Sequence, residues 1–110
     1  MAGAETRRYW SWIASHGCLI CGGPSEIAHA HGGSIVERMQ EPKAKGVKLA
    51  RYDWLVLPLC PAHHRLHNDS LDHGVDRWEL RFGRQADWID VLVAESGINV
   101  WALAARGGAP

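Results

Sequence analysis

Cys18-Leu-Ile-Cys21 and Cys60-Pro-Ala-His63-His64 decide the reading of this chain. The two pairs take up every cysteine present and one of seven histidines. Two ligand pairs, each with two intervening residues, have the spacing of a closed tetrahedral zinc site of the Cys3His type. Cys18, Cys21, Cys60 and His63 are therefore expected to hold one structural Zn2+. A chain of 110 residues has a small core, and a metal clip that closes a long loop is physically useful. The rival use of these sulfurs is a disulfide, Cys18 with Cys21 or either with Cys60. Three cysteines cannot all pair, and a reducing compartment favours thiolate–metal bonds. The second pair runs on through Arg65-Leu66-His67-Asn68, with His73 beyond. One zinc cannot use all of these histidines, so the surplus needs another account.

Length and composition bound that account. The chain suits a single domain, residues 1–110, with its core at about 18–73. A hydrophobic content of 46% is ordinary for a globular protein. Six tryptophans suit a small core built from large rings, or a homodimer surface equally well. No apolar run is long enough to span a bilayer and the N-terminus lacks a signal-peptide pattern, so the expectation is a cytoplasmic protein with no membrane partner. A formal net charge of zero argues against strong nonspecific binding to nucleic acid. The charge is unevenly spread, however. Lys43, Lys45, Lys48 and Arg51 form a basic stretch with no acid among them, and such a loop can contact phosphates even in a neutral chain.

Periodicity places the ligands on elements. Tyr9, Trp12 and Ile13 mark a helix over 6–15, stopped at His16-Gly17. Residues 18–24 read as a metal-binding turn and 26–31 as a short strand closed by Gly32-Gly33. Residues 34–52 read as a long loop with a helical turn near 35–40. Trp54-Leu55-Val56-Leu57 reads as a strand ending at Pro58, and Pro61 opens a short helix carrying His63 to Asn68. Residues 75–82 and 84–95 read as one broken or two short helices, interrupted at Gly83. Val75, Trp78 and Phe82 form one apolar stripe; Ile89, Leu92 and Val93 form the other. The tail after Trp101 is expected to fray. The fold class is thus α+β, a small zinc-clipped core with flanking helices.

Adjacent helical residues face about 100° apart, so His64 points away from the zinc and is available to a second site. His67 lies on a neighbouring part of the same surface, and the strand with His29 is expected across from it. A metal held by helix histidines with a lone histidine opposite is an arrangement for phosphodiester hydrolysis. The metal stabilises phosphate charge and the opposed imidazole takes a proton from water.

Residues 18–67 resemble the HNH nucleases (ββα-metal, or His-Me finger), in the small zinc-clipped form common among phage and prophage proteins. The resemblance is carried by Cys18-Leu-Ile-Cys21, Ala28-His29, Gly32-Gly33, Lys48, Asp53, Pro58-Leu59-Cys60 and Pro61-Ala62-His63-His64. It implies a ββα-metal core, with Cys18, Cys21, Cys60 and His63 as the structural zinc set. It implies His29 as general base and His64 as a ligand of the catalytic metal, with Asp53 in support. The next ligand position falls on Asn68, with His67 and His73 as competitors. His31 shares a strand face with His29 and is a reserve base or ligand. Ala28 stands where a metal-binding residue often precedes the base, and Leu55 stands at the spacing of the family's central Asn.

The expectation is a metal-dependent DNA endonuclease of low sequence preference, acting in the host cytoplasm if phage-encoded. Lys43, Lys45, Lys48 and Arg51 would meet the DNA backbone. Histidine ligands suit Zn2+, Ni2+ or Mn2+ better than Mg2+ alone. The alternative is a noncatalytic zinc-stabilised module that binds DNA or protein.

Overall fold

The computed structural model describes residues 3–40 and 50–107. The elements run α1 (Ala4–His16), β1 (Glu26–His29), α2 (Gly33–Met39), a 3-10 turn (Ala50–Trp54), β2 (Val56–Leu59), a π-helical turn (Ala62–Leu66), a 3-10 turn (Leu71–His73), α3 (Val75–Phe82), α4 (Gln85–Ser96) and α5 (Val100–Gly107). This is a mixed α+β fold around one small sheet. No helix among the described residues is long and apolar enough to cross a membrane.

α1 buries Thr6, Tyr9 and Ile13, residues that recur at helical spacing, and ends at Gly17 with φ 88°. β1 and β2 pair antiparallel, with Glu26 opposite Leu59 and His29 opposite Val56. β2 is buried at every position. The strand expected over 54–57 therefore sits two residues later, because the Leu55 amide closes a turn on the Tyr52 carbonyl at 2.9 Å. Pro58 lies inside β2 rather than ending it. In an antiparallel ladder a residue's N and O point to the same side, and the Pro58 carbonyl accepts from Leu19 N at 3.0 Å, outside the hairpin. The missing N–H thus falls on the outer edge, where proline is tolerated.

The helical turn expected near 35–40 is a full helix across Gly33–Met39, and residues 41–49 of the expected loop lie outside the described residues. α2 starts at glycines with positive φ, 65° at Gly32 and 42° at Gly33. A Cβ at Gly33 would lie 2.5 Å from Glu79 Oε1, so the position admits only glycine without rearrangement. Neither Gly32 nor Arg84, the residues that cap α2 and α4, makes a side-chain cap bond. Glu79 of α3 does that work for both helices. It accepts from Ser34 N at 3.1 Å, Ser34 Oγ at 2.5 Å, Gln85 N at 2.8 Å and Gln85 Nε2 at 3.1 Å.

α3 and α4 form as expected, on either side of Gly83. Trp78, Ile89 and Leu92 are fully buried; Val75, Phe82 and Val93 pack partly buried against them. Of the tail expected to fray after Trp101, the described residues through Gly107 belong to α5, which seats Val100 and Ala104 in the core and packs on the Ala50–Trp54 turn. Trp101 fastens it: its indole N–H donates to Asp90 Oδ1 at 2.8 Å, and the Arg38 guanidinium lies 4.3 Å over the ring.

Candidate metal centre and histidine clusters

The turn after α1 and the end of β2 bring four donor atoms together. Cys18, Cys21 and Cys60 Sγ and His63 Nδ1 all lie within 4.8 Å of one another. Cys21 Sγ is 3.7 Å from Cys60 Sγ, and His63 Nδ1 is 3.8 Å from Cys18 Sγ and 3.1 Å from Cys60 Sγ. A tetrahedral Zn2+ with Zn–S near 2.3 Å would set ligand edges of roughly 3.5–3.8 Å. The four residues fit such an ion with small side-chain adjustments, since the separations run from 3.1 Å to no more than 4.8 Å. All three cysteines are free, and a Cys21–Cys60 separation of 3.7 Å is far beyond a disulfide bond of about 2.05 Å.

Local chemistry builds this cluster. The Cys18 amide donates to Gly23 O and the Gly22 amide to Cys18 O, each at 2.8 Å, so the loop folds back on itself. Gly22, with φ 78°, makes that reversal possible. Burial pushes the Cys18 thiol up, but backbone amides at Cys60, Cys21 and Ile20 outweigh it and hold the thiol below its usual range. For Cys21 the Gly23 amide lowers the value, while the neighbouring Cys60 and Cys18 thiols prevail and raise it. Three thiols this close resist joint ionisation until a cation compensates them. Among the described residues, this is the one group of three or more Cys, His or carboxylate ligands drawn that tightly together.

The other histidines fall into separate groups. His29 is half exposed (49%), with Nε2 3.0 Å from Asp53 Oδ1. Its ring meets the edge of Trp10 at 5.7 Å, and Trp10 Nε1 donates to the Asp53 backbone carbonyl at 2.7 Å. α1 thereby fixes the carboxylate that faces His29. His64 stands elsewhere, 15% exposed between two carboxylates. Its Nδ1 is 2.5 Å from Glu26 Oε2 and its Nε2 is 3.3 Å from Asp72 Oδ2. Glu26 is also gripped by Arg65, at 2.8 Å from Nε and 3.3 Å from NH2. Arg65 chiefly, then His64, overcome burial and hold the Glu26 carboxyl below its ordinary range.

Strand alternation puts Glu26 and His29 on opposite faces of β1. Each histidine thus has its own carboxylate, Asp53 for His29 and Glu26 for His64. His31, just beyond the strand, shares Asp72 with His64: its Nε2 lies 3.5 Å from Asp72 Oδ1. His67 and Asn68 lie past the end of the π-helical turn. The His67 ring neighbours His63 at 6.3 Å, and the Asn68 carbonyl accepts from Arg77 at 2.8 Å. His73 Nδ1 meets Ser70 Oγ at 2.7 Å. Lys43, Lys45 and Lys48 lie outside the described residues, as does the Arg51 side chain.

Sequence reading missed Glu26 and Asp72. Neither stands at a fixed spacing from its histidine, so no local signal marks them.

A family model described as "Protein of unknown function (DUF968)" matches residues 2–98. No curated protein and no solved structure matches the chain.

Proposed function

We propose that this chain, which belongs to the DUF968 family, is a metal-dependent DNA endonuclease built on a ββα-metal core. The observation that carries the reading is the His29–Asp53 pair at 3.0 Å, an exposed imidazole held by a fixed carboxylate. That is the base-and-orienter geometry of a general base. With Nε2–H donated to Asp53, Nδ1 is the basic nitrogen and takes the proton of the attacking water. Asp53 stabilises the imidazolium that results. Trp10 keeps Asp53 in place and covers one edge of the ring. A divalent cation, when bound, supplies charge stabilisation to the phosphate and the leaving oxygen. His64 is the side chain best placed to hold such an ion, since Glu26 fixes its ring. The Cys18, Cys21, Cys60 and His63 cluster pins the hairpin to the turn that bears His64, with zinc as the fitting ion. The Lys43–Arg51 segment is our choice for contact with the DNA backbone. By the HNH resemblance the setting is a phage or prophage gene.

The test is plasmid nicking by zinc-loaded protein across Mg2+, Mn2+, Ni2+ and Zn2+, with His29→Ala and Asp53→Asn beside wild type. Metal-dependent cleavage is expected to fall about 100-fold or more in His29→Ala and less in Asp53→Asn. One observation favours a second reading, a noncatalytic zinc-stabilised binding module: both ring nitrogens of His64 already face carboxylates. Folded, zinc-loaded wild type that cuts with none of these metals would establish that reading and retire the enzyme.

A further inference from the structure

We propose that Trp101 is a positioning residue for the His29–Asp53 pair, acting through α5 and the Ala50–Trp54 turn. Its catalytic consequence rests on the nuclease reading; the positioning itself does not. Asp53 lies on a 3-10 turn of five residues. Such turns are short and weakly bonded, so their place is set by what packs on them. Trp10 of α1 donates to the Asp53 carbonyl at 2.7 Å, and α5 packs along the turn. Tyr52 of the turn is buried, and so are Val100 and Ala104 of α5; all three belong to one core cluster. One residue after Tyr52, the Asp53 carboxylate meets His29 Nε2 at 3.0 Å. A shift of the turn is therefore a shift of the carboxylate that faces the base.

α5 in turn depends on Trp101. A helix of eight residues is too short to hold its shape in water by itself. Val100 and Ala104 seat one face of it in the core. Trp101 follows Val100, about 100° further round the helix, and carries the polar fastening. Its indole N–H donates to Asp90 Oδ1 of α4 at 2.8 Å. Arg38 of α2 donates to the same carboxylate at 3.1 and 3.2 Å and lies 4.3 Å over the indole ring. One side chain thereby ties α5 to α2 and α4, which pack on one another. The base pair is braced from both flanks of the sequence, by Trp10 directly and by Trp101 through α5.

Proton transfer is sensitive to such bracing, since a misplacement of about 1 Å caused far from the reacting atoms can cost about 100-fold in rate. Trp101→Ala removes the N–H bond and the ring beneath Arg38 but leaves Val100 and Ala104 to seat the helix. The expected loss is therefore partial, about tenfold in kcat.

The experiment is a cycle of plasmid nicking by zinc-loaded Trp101→Ala, Asp53→Asn and the double variant, at a temperature where circular dichroism shows each folded. Trp101→Ala should lower kcat about tenfold with KM within about twofold of wild type. Its pH–rate profile should follow that of Asp53→Asn. In the double variant, Trp101→Ala should cost less than about twofold beyond Asp53→Asn, because the charge it positions is already gone. Full additivity, or an unchanged kcat in Trp101→Ala, overturns the proposal. Hydrogen exchange reads the same linkage without cleavage. The Leu55 amide, bonded to Tyr52 O at 2.9 Å, should exchange at least about fivefold faster in Trp101→Ala. The Gly22 amide, bonded to Cys18 O in the cysteine turn, should hold its rate. Leu55 exchange that matches wild type also overturns the proposal. Should Trp101→Ala fail to fold, Trp101→Phe keeps a ring beneath Arg38, loses the N–H donor and carries the same cycle with a smaller loss. A wild type that nicks nothing retires the enzyme; faster Leu55 exchange in the variant then keeps the positioning.

Discussion

Replacing Glu79 tests the packing around the site most directly. This carboxylate supplies the cap that α2 and α4 both lack, and it touches no residue assigned to chemistry. Ser34 is 1% exposed and Gln85 fully buried, so their donors have no route to water once the acceptor is gone. Hydrogen bonds to a charged acceptor contribute about 1.5–3 kcal/mol each, and a lost N-cap costs about 1 kcal/mol. The bonds share one acceptor and are not additive. Glu79→Gln keeps the shape but turns an NH2 toward donors, for a loss of about 2–3 kcal/mol; Glu79→Ala leaves the donors orphaned, for about 3–5 kcal/mol. At this chain length 2–3 kcal/mol lowers the melting temperature by about 10 °C. The assay is urea unfolding followed by tryptophan fluorescence, with zinc held in constant excess because bound metal shifts apparent stability. Leu80, next in the helix and 89% exposed, is the control; Leu80→Gln should change stability by less than about 0.5 kcal/mol. A loss under about 1 kcal/mol in Glu79→Gln would refute the double-cap argument. So would full additivity of Glu79→Gln with Ser34→Ala, since their direct bond predicts coupling.

Two further outcomes follow from the same geometry. Cys60→Ser breaks the Cys3His set, and zinc content should fall below one ion per chain with loss of cooperative unfolding. A strong chelator added to wild type should do the same, and a chain that stays folded without metal would show that the cluster does not carry the fold. Arg38 first, then Trp101, hold the Asp90 carboxyl below its ordinary range, against partial burial. A depressed folded-state value means the contribution is present above the unfolded value of about 3.9 and lost as pH falls through the folded one. Asp90→Asn should therefore lower stability at neutral pH and flatten the acid limb below pH 4, measured by thermal melting from pH 2 to 7.

What was legible in the sequence was whatever rests on local spacing. The two CxxC/CxxH pairs mark the metal cluster because a turn and a helix start put such residues side by side. α1, α3 and α4 show in their apolar stripes because each buries one face. α2 showed only as a helical turn near 35–40, since its first-turn amides are satisfied by Glu79, more than forty residues away in α3. α5 was hidden for a similar reason: its anchors are Asp90 and the Ala50–Trp54 turn, both distant in sequence.

The site divides along the same line. His29 and His64 stand out as residue types in motifs, whereas their partners are set by tertiary contact. Asp53 reaches His29 because Trp10 of α1 holds its backbone. Glu26 reaches His64 because Arg65, on the same turn, grips the other side of the carboxylate. A histidine's chemistry depends on which nitrogen carries the hydrogen, and that is decided by the partner. Spacing can therefore nominate the imidazoles here, but only the fold supplies their partners. The fold gives His64 the Glu26 and Asp72 carboxylates and gives His29 that of Asp53.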